Sequence, residues 1–435
     1  MSVSTMSWHL RATDHGLRTT DYFLMPDYDA IIIGGGPAGS SAAISLSQRG
    51  ARVLLLEEKH MPRGKLCGEF ITPECFPTLE RLGVMERMLA AGAQKIDRVN
   101  LVVASGKSVQ SHISKMSDDA EWAMSLSRAR FDQILFDRAR EAGAVCLEGV
   151  AVNRCVFDDG GPSKVEALSL KEGARVSFEA PVVIDASGRN SRLMVGRRER
   201  AAGRRGSRLY ALKAHFKGIE GIDEQVELYF FPQGYGGLSL VEDGRVNLCF
   251  IVGEHTLKNA GGDPSRVVEH TLMNNRLARE RLLGAEVTGK WYSAGPLTFG
   301  RRRLARDGVI AIGDASGMID PFTGTGIQMA LRTGEMVAEA IVEVMDSVRS
   351  AALGEDKSAG QQGRTSVLDS VLAIYTRQYE REFYKRMRVA GLLRAAAFSP
   401  PTASVAATVL ARMPGLTNLV LRATRGGNGS RKVID

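Results

Sequence analysis

The stretch YDAIIIGGGPAG, residues 28–39, decides the fold of this chain. Its apolar run has the composition of a strand that is buried on both faces. Gly34 permits a tight turn out of that strand, Gly36 lets the backbone approach a pyrophosphate, and Gly39 lets the next helix pack closely on the strand. The spacing predicts a strand, a turn and a helix in immediate succession.

Pro37 and Ala38 open that helix, and the following strand ends at Glu57, with Glu58 after it. A helix N-terminus offers free N–H groups and the positive end of the helix dipole to phosphates. A carboxylate at Glu57 can accept hydrogen bonds from ribose hydroxyls. Because strand, turn, helix, second strand and acid occur in this order, the sequence predicts a dinucleotide site. An ordinary glycine turn in an α/β domain is the alternative.

The bulk composition is that of a globular protein of 435 residues, 44% hydrophobic and 24% charged. No apolar run is long enough to span a bilayer, and the first 26 residues lack the pattern of a secretory signal. We interpret residues 1–26 as a disordered extension, with Met25 as an alternative native start. Five scattered cysteines without a C-x-x-C pair predict a reducing, cytoplasmic location and no metal site.

The formal net charge of +8 is concentrated near the C-terminus. Residues 383–434 contain nine Lys or Arg residues and no Asp or Glu. Such a basic end favours an anionic surface, a membrane or a polyphosphate, over a nucleic-acid groove. A solvated pair of basic helices is the alternative. We therefore expect no nucleic-acid partner, and a cytoplasmic protein that either is free or contacts a membrane peripherally through its basic C-terminus.

A buried strand that ends in a glycine turn recurs twice further along the chain. The first instance is VVIDASG, residues 182–188, and the second is VIAIGD, residues 309–314. Asp314, at the end of the second instance, can accept a hydrogen bond from a sugar-alcohol chain. Taken alone, each motif fits a plain strand-to-helix turn equally well.

The segment PFTGTG, residues 321–326, follows Asp314 and opens a long helix. The N-terminus of that helix would aim positive charge at the pyrimidine edge of a flavin and stabilise its anionic reduced form. Nucleotide motifs at both ends of a chain are expected when one long cofactor lies extended across a sheet. Together the motifs turn a generic dinucleotide site into a predicted site for FAD.

The loop MPRGKLCGEFITP, residues 61–73, carries the other candidate chemistry. Two of its cations, Arg63 and Lys65, are placed to contact phosphates or to flank a negatively charged flavin edge. Its Cys67 is a candidate functional thiol. A buried cysteine that acts as a small hydrophobe is the alternative.

These motifs together resemble the flavoprotein superfamily that contains para-hydroxybenzoate hydroxylase. The residues that carry the resemblance are GGGPAG at 34–39 with Glu57, RARFD at 128–132, DASG at 185–188, and residues 313–326. The geranylgeranyl reductase family is the most similar branch, with flavin-dependent halogenases nearby. The resemblance implies an α/β fold: a Rossmann-like FAD-binding domain of three separated segments, a β-sheet substrate lobe and C-terminal helices.

The resemblance also sets the predicted domain boundaries. We predict a disordered extension at 1–26, FAD-binding segments at 27–105, 126–200 and 301–350, substrate-lobe strands at 106–125, a β-rich substrate domain at 201–300, and a linker with basic C-terminal helices at 351–435.

By similarity, Arg128 would contact the FAD, and Asp314 would contact its ribityl chain. The predicted cofactor site comprises Gly34, Gly36, Pro37, Ala38, Gly39, Glu57, Glu58, Arg63, Lys65, Cys67, Gly68, Arg128, Asp185, Ala186, Gly313, Asp314, Pro321, Gly324, Thr325, Gly326 and Ile327. The candidate catalytic residues are Cys67 and Lys65, and the candidate substrate residues are Tyr229, Phe231 and Tyr235.

The segment PRGKLCG, residues 62–68, is similar to the P-R-x-K-x-C-G segment of geranylgeranyl reductases, whose cysteine lies near the flavin. The segment FPQG, residues 231–234, resembles their F-P-K-G motif, with Gln233 in place of the lysine, and Tyr229 stands where a tryptophan is usual. The resemblance implies reduction of a C=C bond of an apolar, prenyl or lipid-like substrate by hydride transfer from reduced flavin. NADPH or a separate electron-donor protein would supply the electrons.

Two other functions stay open at this point. An oxygen-using monooxygenase or halogenase would act on a phenolic or polyketide metabolite through C4a-hydroperoxyflavin. GEFITP, residues 68–73, resembles a halogenase loop, and Lys95 falls where halogenases place a catalytic lysine, although a solvent-exposed lysine is the other interpretation. Against this, the halogenase W-x-W-x-I-P motif is absent, and Asp185-Ala186 stands where hydroxylases usually have Asp-Gly. A flavin-binding redox sensor without catalysis is the third function.

Overall fold

The protein is described from a computed structural model. It describes residues 28–397, apart from 104–105, 107, 116, 118–119, 158–162, 195–207 and 354–363. The predicted extension at 1–26, most of the predicted linker and the end of the basic C-terminal region therefore lie outside the described residues.

The strands are β1 (Ala30–Ile33), β2 (Val53–Glu57), β3 (Phe70–Ile71), β4 (Gln94–Ile96), β5 (Arg98–Val102), β6 (Ser108–His112), β7 (Ala123–Ser125), β8 (Val145–Glu148), β9 (Val150–Val156), β10 (Ser163–Ser169), β11 (Arg175–Ala180), β12 (Val182–Asp185), β13 (Leu209–Lys217), β14 (Gln225–Phe231), β15 (Gly234–Leu240), β16 (Val246–Gly253), β17 (Glu286–Ala294), β18 (Gly300–Arg301), β19 (Ala305–Arg306), β20 (Val309–Ala311) and β21 (Gly317–Met318). The α-helices are α1 (Pro37–Ser47), α2 (Phe76–Arg81), α3 (Met85–Ala90), α4 (Arg128–Glu141), α5 (Glu254–Asn259), α6 (Pro264–His270), α7 (Arg276–Leu282), α8 (Gly326–Leu353) and α9 (Arg364–Ala397).

A six-stranded sheet forms the centre of the molecule, in the order β19-β20-β12-β1-β2-β8. All its pairings are parallel except that of β19 with β20. Strand β1 is buried throughout, as its continuous apolar run predicts for a parallel strand covered on both faces. The three buried strands expected from the sequence, β1, β12 and β20, lie side by side, so their carboxyl ends meet at one edge. The predicted α/β fold class is confirmed.

Helices cover one face of this sheet in two layers. The backbone of α1 approaches α8 so closely that a Cβ on Gly334 would stand 2.5 Å from the carbonyl oxygen of Ala38. The hydroxyl of Ser41 donates to the carbonyl of Leu331 at 2.8 Å. Helix α9 packs over α8, and its buried Tyr375 donates to the carbonyl of Ala311 at 3.0 Å. The described C-terminal helix is thus built into the FAD-binding core.

A second sheet of seven strands, in the order β17-β13-β16-β15-β14-β5-β6, forms the lobe that the sequence predicts to bind the substrate. Its first two strands in the chain, β5 and β6, form a hairpin, and β5 pairs in parallel with β14. Since hairpin partners share a sheet, β5 belongs to the lobe. The lobe therefore begins at Arg98, earlier than the predicted boundary at residue 106.

The two faces of the seven-stranded sheet differ in what covers them. Successive side chains of a strand point to opposite faces. Val226 and Leu228 of β14 thus face the FAD-binding domain, whereas Tyr229 packs with Val267 of α6 and Ala278 of α7. Within the part of the chain that the structure describes, no helix has both the length and the hydropathy needed to cross a bilayer.

Candidate active site

A cleft of about 560 Å³ lies between the carboxyl edge of the six-stranded sheet and the facing side of the seven-stranded sheet. Residues from separate segments of the chain converge on it. The predicted cofactor residues that line the cleft are Gly34, Gly36, Pro37, Ala38, Glu57, Glu58, Arg63, Lys65, Cys67, Gly68, Arg128, Ala186, Gly313, Asp314, Pro321, Gly324, Gly326 and Ile327. The candidate substrate residue Tyr235 lines it as well.

Three predicted cofactor residues support the cleft from behind instead of lining it. A Cβ on Gly39 would stand 1.9 Å from the carbonyl oxygen of Gly34, so only glycine permits this approach of helix and loop. Asp185 is buried and accepts a hydrogen bond from the backbone N–H of Ser187 at 2.9 Å. Thr325 is buried against Thr323, whose hydroxyl oxygen lies 2.8 Å from its own.

The glycine loop presents bare backbone to the cleft. A Cβ on Gly36 would meet nothing closer than the guanidinium tips of Arg63 and Arg128, at 3.7 and 4.0 Å. Helix α1 begins at Pro37, and no side chain caps its N-terminus. Uncapped first-turn N–H groups and the helix dipole form an anion site. The loop therefore fits a diphosphate.

The carboxylate of Glu57 is fixed at the end of β2 by backbone and side-chain donors. It accepts hydrogen bonds from the N–H groups of Gly35 at 2.8 Å and Lys59 at 3.0 Å. It also forms an ion pair with Arg63 at 3.1 Å. This places the carboxylate beside the glycine loop, where a ribose next to the diphosphate would lie. Its hydrogen bonds to ribose hydroxyls remain a prediction.

Asp132, which the sequence analysis named only as part of the RARFD motif and gave no role, forms ion pairs with two arginines of the cleft. It pairs with Arg63 at 3.1 Å and with Arg128 at 2.7 Å. Burial acts against the charge of Arg128, but Asp132 raises the pKa of Arg128 above its ordinary value. Burial lowers the pKa of Lys65, and the charges of Arg63 and Arg128 lower it further. The i, i+4 spacing of Arg128 and Asp132 on a helix is the signal that would have revealed the pair.

Asp314 follows β20 and faces into the cleft. Burial raises the pKa of its carboxyl group, although the nearby charges of Lys65, Arg128, Arg189 and Arg302 act in the opposite direction. Within the described parts of the chain, no group donates a hydrogen bond to this carboxylate. An acceptor in this position fits a ribityl hydroxyl. Together with the bare glycine loop and the uncapped start of α1, it fits the demands of FAD.

The structure brings the thiol of Cys67 next to the cofactor-side cations. Its Sγ accepts a hydrogen bond from the backbone N–H of Glu69 at 3.3 Å. Cys67 and Lys65 both line the cleft, as does Cys249 from the facing sheet. The two candidate catalytic residues therefore share one wall, while their catalytic role remains a prediction.

Of the three candidate substrate residues, Tyr235 lines the cleft. The hydroxyl of Tyr235 donates to Asp320 at 2.9 Å, and burial together with the Asp320 charge raises the pKa of Tyr235 well above its ordinary value. Tyr229 and Phe231 do not line the cleft, so the geometry gives no support to their assignment as substrate residues, which stays a prediction. Odd-numbered positions of β14 point to the helix-covered face, where Tyr229 hydrogen-bonds Glu227.

Sequence reasoning missed the wall that faces the cofactor side. This apolar wall consists of Val99 and Leu101 from β5 and Val226 and Leu228 from β14. The alternation of inward-facing and outward-facing side chains along each strand was visible in the sequence. The parallel pairing of β5 with β14, which joins the four side chains into one surface, was not.

Sequence reasoning also missed a buried charged cluster beside the Cys67 loop. Glu69 and Lys213 form an ion pair, and each side chain is 1% exposed. The His215 ring nitrogen Nε2 lies 2.6 Å from the other carboxylate oxygen of Glu69. Lys213 and His215 are two residues apart on β13, so they share a face, and this spacing is the signal that would have indicated them. By contrast, Lys95 is exposed on β4 and does not line the cleft.

Comparison with known proteins identifies the family. Residues 27–354 match the FAD-binding domain family. The chain is 27% identical over 329 residues to a 1H-pyrrole-2-carbonyl-(peptidyl-carrier protein) brominase of Pseudoalteromonas luteoviolacea (strain 2ta16), covering 73% of this chain and 78% of that protein. It is also 27% identical over 379 residues to digeranylgeranylglycerophospholipid reductase 2 of Methanopyrus kandleri, covering 84% and 85%.

The fold is shared with solved flavoprotein structures. A flavin-dependent brominase superposes with a TM-score of 0.70 at 22% identity, covering 91% of this chain and 93% of that one. At this identity the likeness shows the fold alone. The sequence match over residues 27–354 shows more: the chain belongs to the FAD-binding domain family, and the predictions of FAD as cofactor and of an FAD-dependent enzyme are confirmed.

Proposed function

We propose that this FAD-dependent enzyme reduces a C=C bond of an apolar, prenyl or lipid-like substrate. The apolar wall of the cleft carries this proposal. Its four side chains, Val99, Leu101, Val226 and Leu228, line the same cleft as Cys67. Burying apolar substrate surface against them is favourable by roughly 25 cal/mol per Å². A substrate with a hydrocarbon chain gains most from such a wall.

Different residues of the cleft bind the cofactor and the substrate. FAD, when reduced, would supply a hydride to one carbon of the double bond, and a proton from water or a nearby acid would complete the reduction. The glycine loop and the start of α1 bind the diphosphate, and Asp314 orients the ribityl chain. The cations Arg63, Lys65 and Arg128 favour an anionic, reduced cofactor. Cys67 lies on the same loop as Arg63 and Lys65, and its carbonyl lies 3.3 Å from Nδ2 of Asn247 on the facing sheet.

The similarity to an archaeal reductase of geranylgeranyl lipids supports the proposal, since it covers most of both chains. The exposure of Lys95 supports it too, because the lysine expected of a halogenase does not line the cleft. The electron donor is part of the proposal: NADPH or a separate donor protein reduces the flavin.

Anaerobic turnover tests the proposal. The full chain is loaded with FAD, reduced with dithionite, and mixed with polyprenyl lipids; products are analysed by mass spectrometry for the gain of two hydrogens per reduced bond. NADPH then replaces dithionite to identify the donor. Lack of reduction of every polyprenyl lipid, together with oxygen-dependent conversion of another substrate, would refute the proposal.

A matched pair of cysteine variants separates catalysis from packing. Cys67 and Cys249 both line the cleft, but Cys67 lies on the loop of residues 61–73, where its Sγ accepts a hydrogen bond from Glu69, whereas Cys249 lies on β16 of the facing sheet. We expect Cys67→Ala to lower the turnover number and Cys249→Ala to change mainly the KM. Equal turnover in Cys67→Ala and the parent would reduce Cys67 to a packing residue.

A monooxygenase or halogenase acting on a phenolic or polyketide metabolite is the second candidate. The similarity to a brominase supports it, as does the resemblance of residues 68–73 to a halogenase loop. Oxygen consumption by the reduced enzyme, measured with and without bromide or chloride and with phenolic acceptors, distinguishes the two functions. Substrate-dependent oxygen uptake with a hydroxylated or halogenated product would favour the second.

A further inference from the structure

A buried charged cluster, formed by Glu69, Lys213 and His215, joins the Cys67 loop to the substrate sheet. The side chains of Glu69 and Lys213 are 1% exposed, and that of His215 is 14% exposed. Burying charges costs free energy unless they are paired and hydrogen-bonded. Neither FAD binding nor the apolar wall accounts for an ion pair at this depth, so the cluster calls for a role of its own.

Glu69 forms hydrogen bonds with two residues that line the cleft, Arg128 and Cys67. Its carboxylate accepts a hydrogen bond from the backbone N–H of Arg128 at 2.7 Å. Its own backbone N–H donates to the Sγ of Cys67 at 3.3 Å. Glu69 therefore contacts both the backbone of Arg128, the first residue of α4, and the thiol of Cys67.

The backbone of Glu69 adopts a left-handed conformation, with φ at +57°. Residues other than glycine adopt it at a cost, and such strain persists only where surrounding contacts hold it. The contacts that hold it here come from Lys213, from His215 at 2.6 Å and from the start of α4. Burial alone would raise the pKa of Glu69, but the hydrogen bond from His215 and the charge of Lys213 lower it below its ordinary value.

The substrate sheet also binds the loop through its carbonyl groups. Lys213 Nζ donates to the carbonyl of Lys65 at 3.1 Å. Asn247 Nδ2 donates to the carbonyl of Gly68 at 2.9 Å and lies 3.3 Å from that of Cys67. The loop is thus fastened to the sheet on which the apolar wall is built, while the side chains of Lys65 and Cys67 line the cleft.

We propose that Glu69 is a positioning residue: it sets the places of the Cys67 thiol and of Arg128, and Lys213 and His215 hold it to the substrate sheet. The consequence rests on the proposed function, since a substrate bound on that sheet is then kept in register with the flavin side. Glu69 itself lines the cleft, and loss of the cluster frees the loop while leaving the Cys67 thiol and the Arg128 guanidinium in the chain.

Glu69→Gln in the full chain tests the proposal without substrate or turnover. Two quantities are measured: the rate of Cys67 alkylation by iodoacetamide, resolved by peptide mass spectrometry, and the Kd for FAD from flavin fluorescence. We expect alkylation of Cys67 to be roughly fivefold faster, the change in population that one lost hydrogen bond produces, and FAD binding to be weaker by a similar factor.

Glu227→Gln is the matched control. Glu227 is fully buried in the same sheet and pairs with Arg281 at 3.1 Å, but on the face away from the cleft. It should lower the Tm as Glu69→Gln does, yet leave Cys67 alkylation and FAD affinity as in the parent. A merely structural role of Glu69 predicts equal effects in both variants, and that result would overturn the proposal.

His215→Gln carries the test if Glu69→Gln does not fold. It retains an amide that can donate to Glu69 and removes only the imidazole. We expect faster alkylation of Cys67 and weaker FAD binding, both smaller than in Glu69→Gln. Parent values in a folded His215→Gln would refute the role of the cluster. Failure to reduce any polyprenyl lipid leaves these measurements unaffected, so the two proposals fail separately.

Discussion

Replacing Gly36 with alanine asks whether the glycine loop holds the diphosphate of FAD. The backbone at Gly36 has φ −80° and ψ −174°, a conformation open to any residue. The added Cβ would approach only Arg63 and Arg128, at 3.7 and 4.0 Å. The FAD-free variant should therefore fold normally, with a Tm equal to or slightly above that of the parent, because alanine has less freedom than glycine in the unfolded chain.

FAD binding should respond very differently, since the new methyl group fills the side of the loop on which the diphosphate lies. A phosphate oxygen that accepts an N–H bond at about 2.9 Å must retreat by about 1 Å, which takes it beyond hydrogen-bond range. A hydrogen bond to a charged group contributes about 1.5–3 kcal/mol. The Kd for FAD should therefore rise by about 10- to 150-fold.

Fluorescence titration with FAD and thermal melting of the FAD-free protein measure the two effects. Gly391→Ala is the control, because its Cβ also enters open space but lies on α9; it should leave FAD affinity unchanged. Gly39→Ala should lower both the Tm and the affinity, since its Cβ overlaps Gly34. If Gly36→Ala binds FAD as tightly as the parent, the diphosphate does not lie over this loop.

Three further variants probe other parts of the cleft, and a fourth, on the other face of the sheet, is the control for one of them. Asp314→Asn should weaken FAD binding by about 10- to 150-fold yet raise the Tm of the FAD-free protein at neutral pH. The reason is that burial raises the pKa of Asp314 in the folded protein. The contribution of Asp314 to the stability of the parent is therefore fully present below the ordinary carboxyl pKa and is lost as the pH rises through the raised value. A Tm difference between variant and parent that does not grow from acidic to neutral pH contradicts this. Tyr235→Phe removes the hydroxyl that donates to Asp320 and should lower the free energy of unfolding, measured in urea, by about 1–3 kcal/mol. An unchanged free energy of unfolding would show that this hydrogen bond contributes nothing. Leu228→Asp should abolish lipid reduction without changing FAD affinity, whereas Tyr229→Phe, on the other face of the sheet, should leave the KM for the lipid unchanged; the reverse pattern would place the substrate elsewhere.

The cofactor side of the cleft was predictable because its determinants are local in sequence. A glycine turn after a buried strand specifies its own geometry, so Gly34, Gly36 and Gly313 were identified one motif at a time. The parallel order of β1, β12 and β20 then brings their ends together. Because these strands are apolar on both faces, their burial was predictable without knowing which face each side chain takes.

The substrate side was not predictable in the same way, because its determinants are pairings between distant strands. Tyr229 was chosen as a substrate residue from a motif, although the face of β14 to which it belongs depends on which side α6 covers. The apolar wall needs the parallel pairing of β5 with β14 across a long sequence separation. The sequence of the β5–β6 hairpin indicates the turn that joins its two strands, but it does not indicate that β5 also pairs with β14.

The two walls of the cleft are chemically unlike, and this difference limits where chemistry can occur. The cofactor wall is cationic through Arg63, Lys65 and Arg128, while the facing wall is apolar. Under the proposed function, a hydrocarbon chain is stabilised on the apolar wall and an anionic cofactor beside the cations. The loop of residues 61–73 carries both Lys65 and Cys67 into the cleft, so we expect the reactive atoms to meet along it. Reaction specificity in this protein should accordingly be more sensitive to substitutions at Cys67 and Glu69 than to any in the glycine turns.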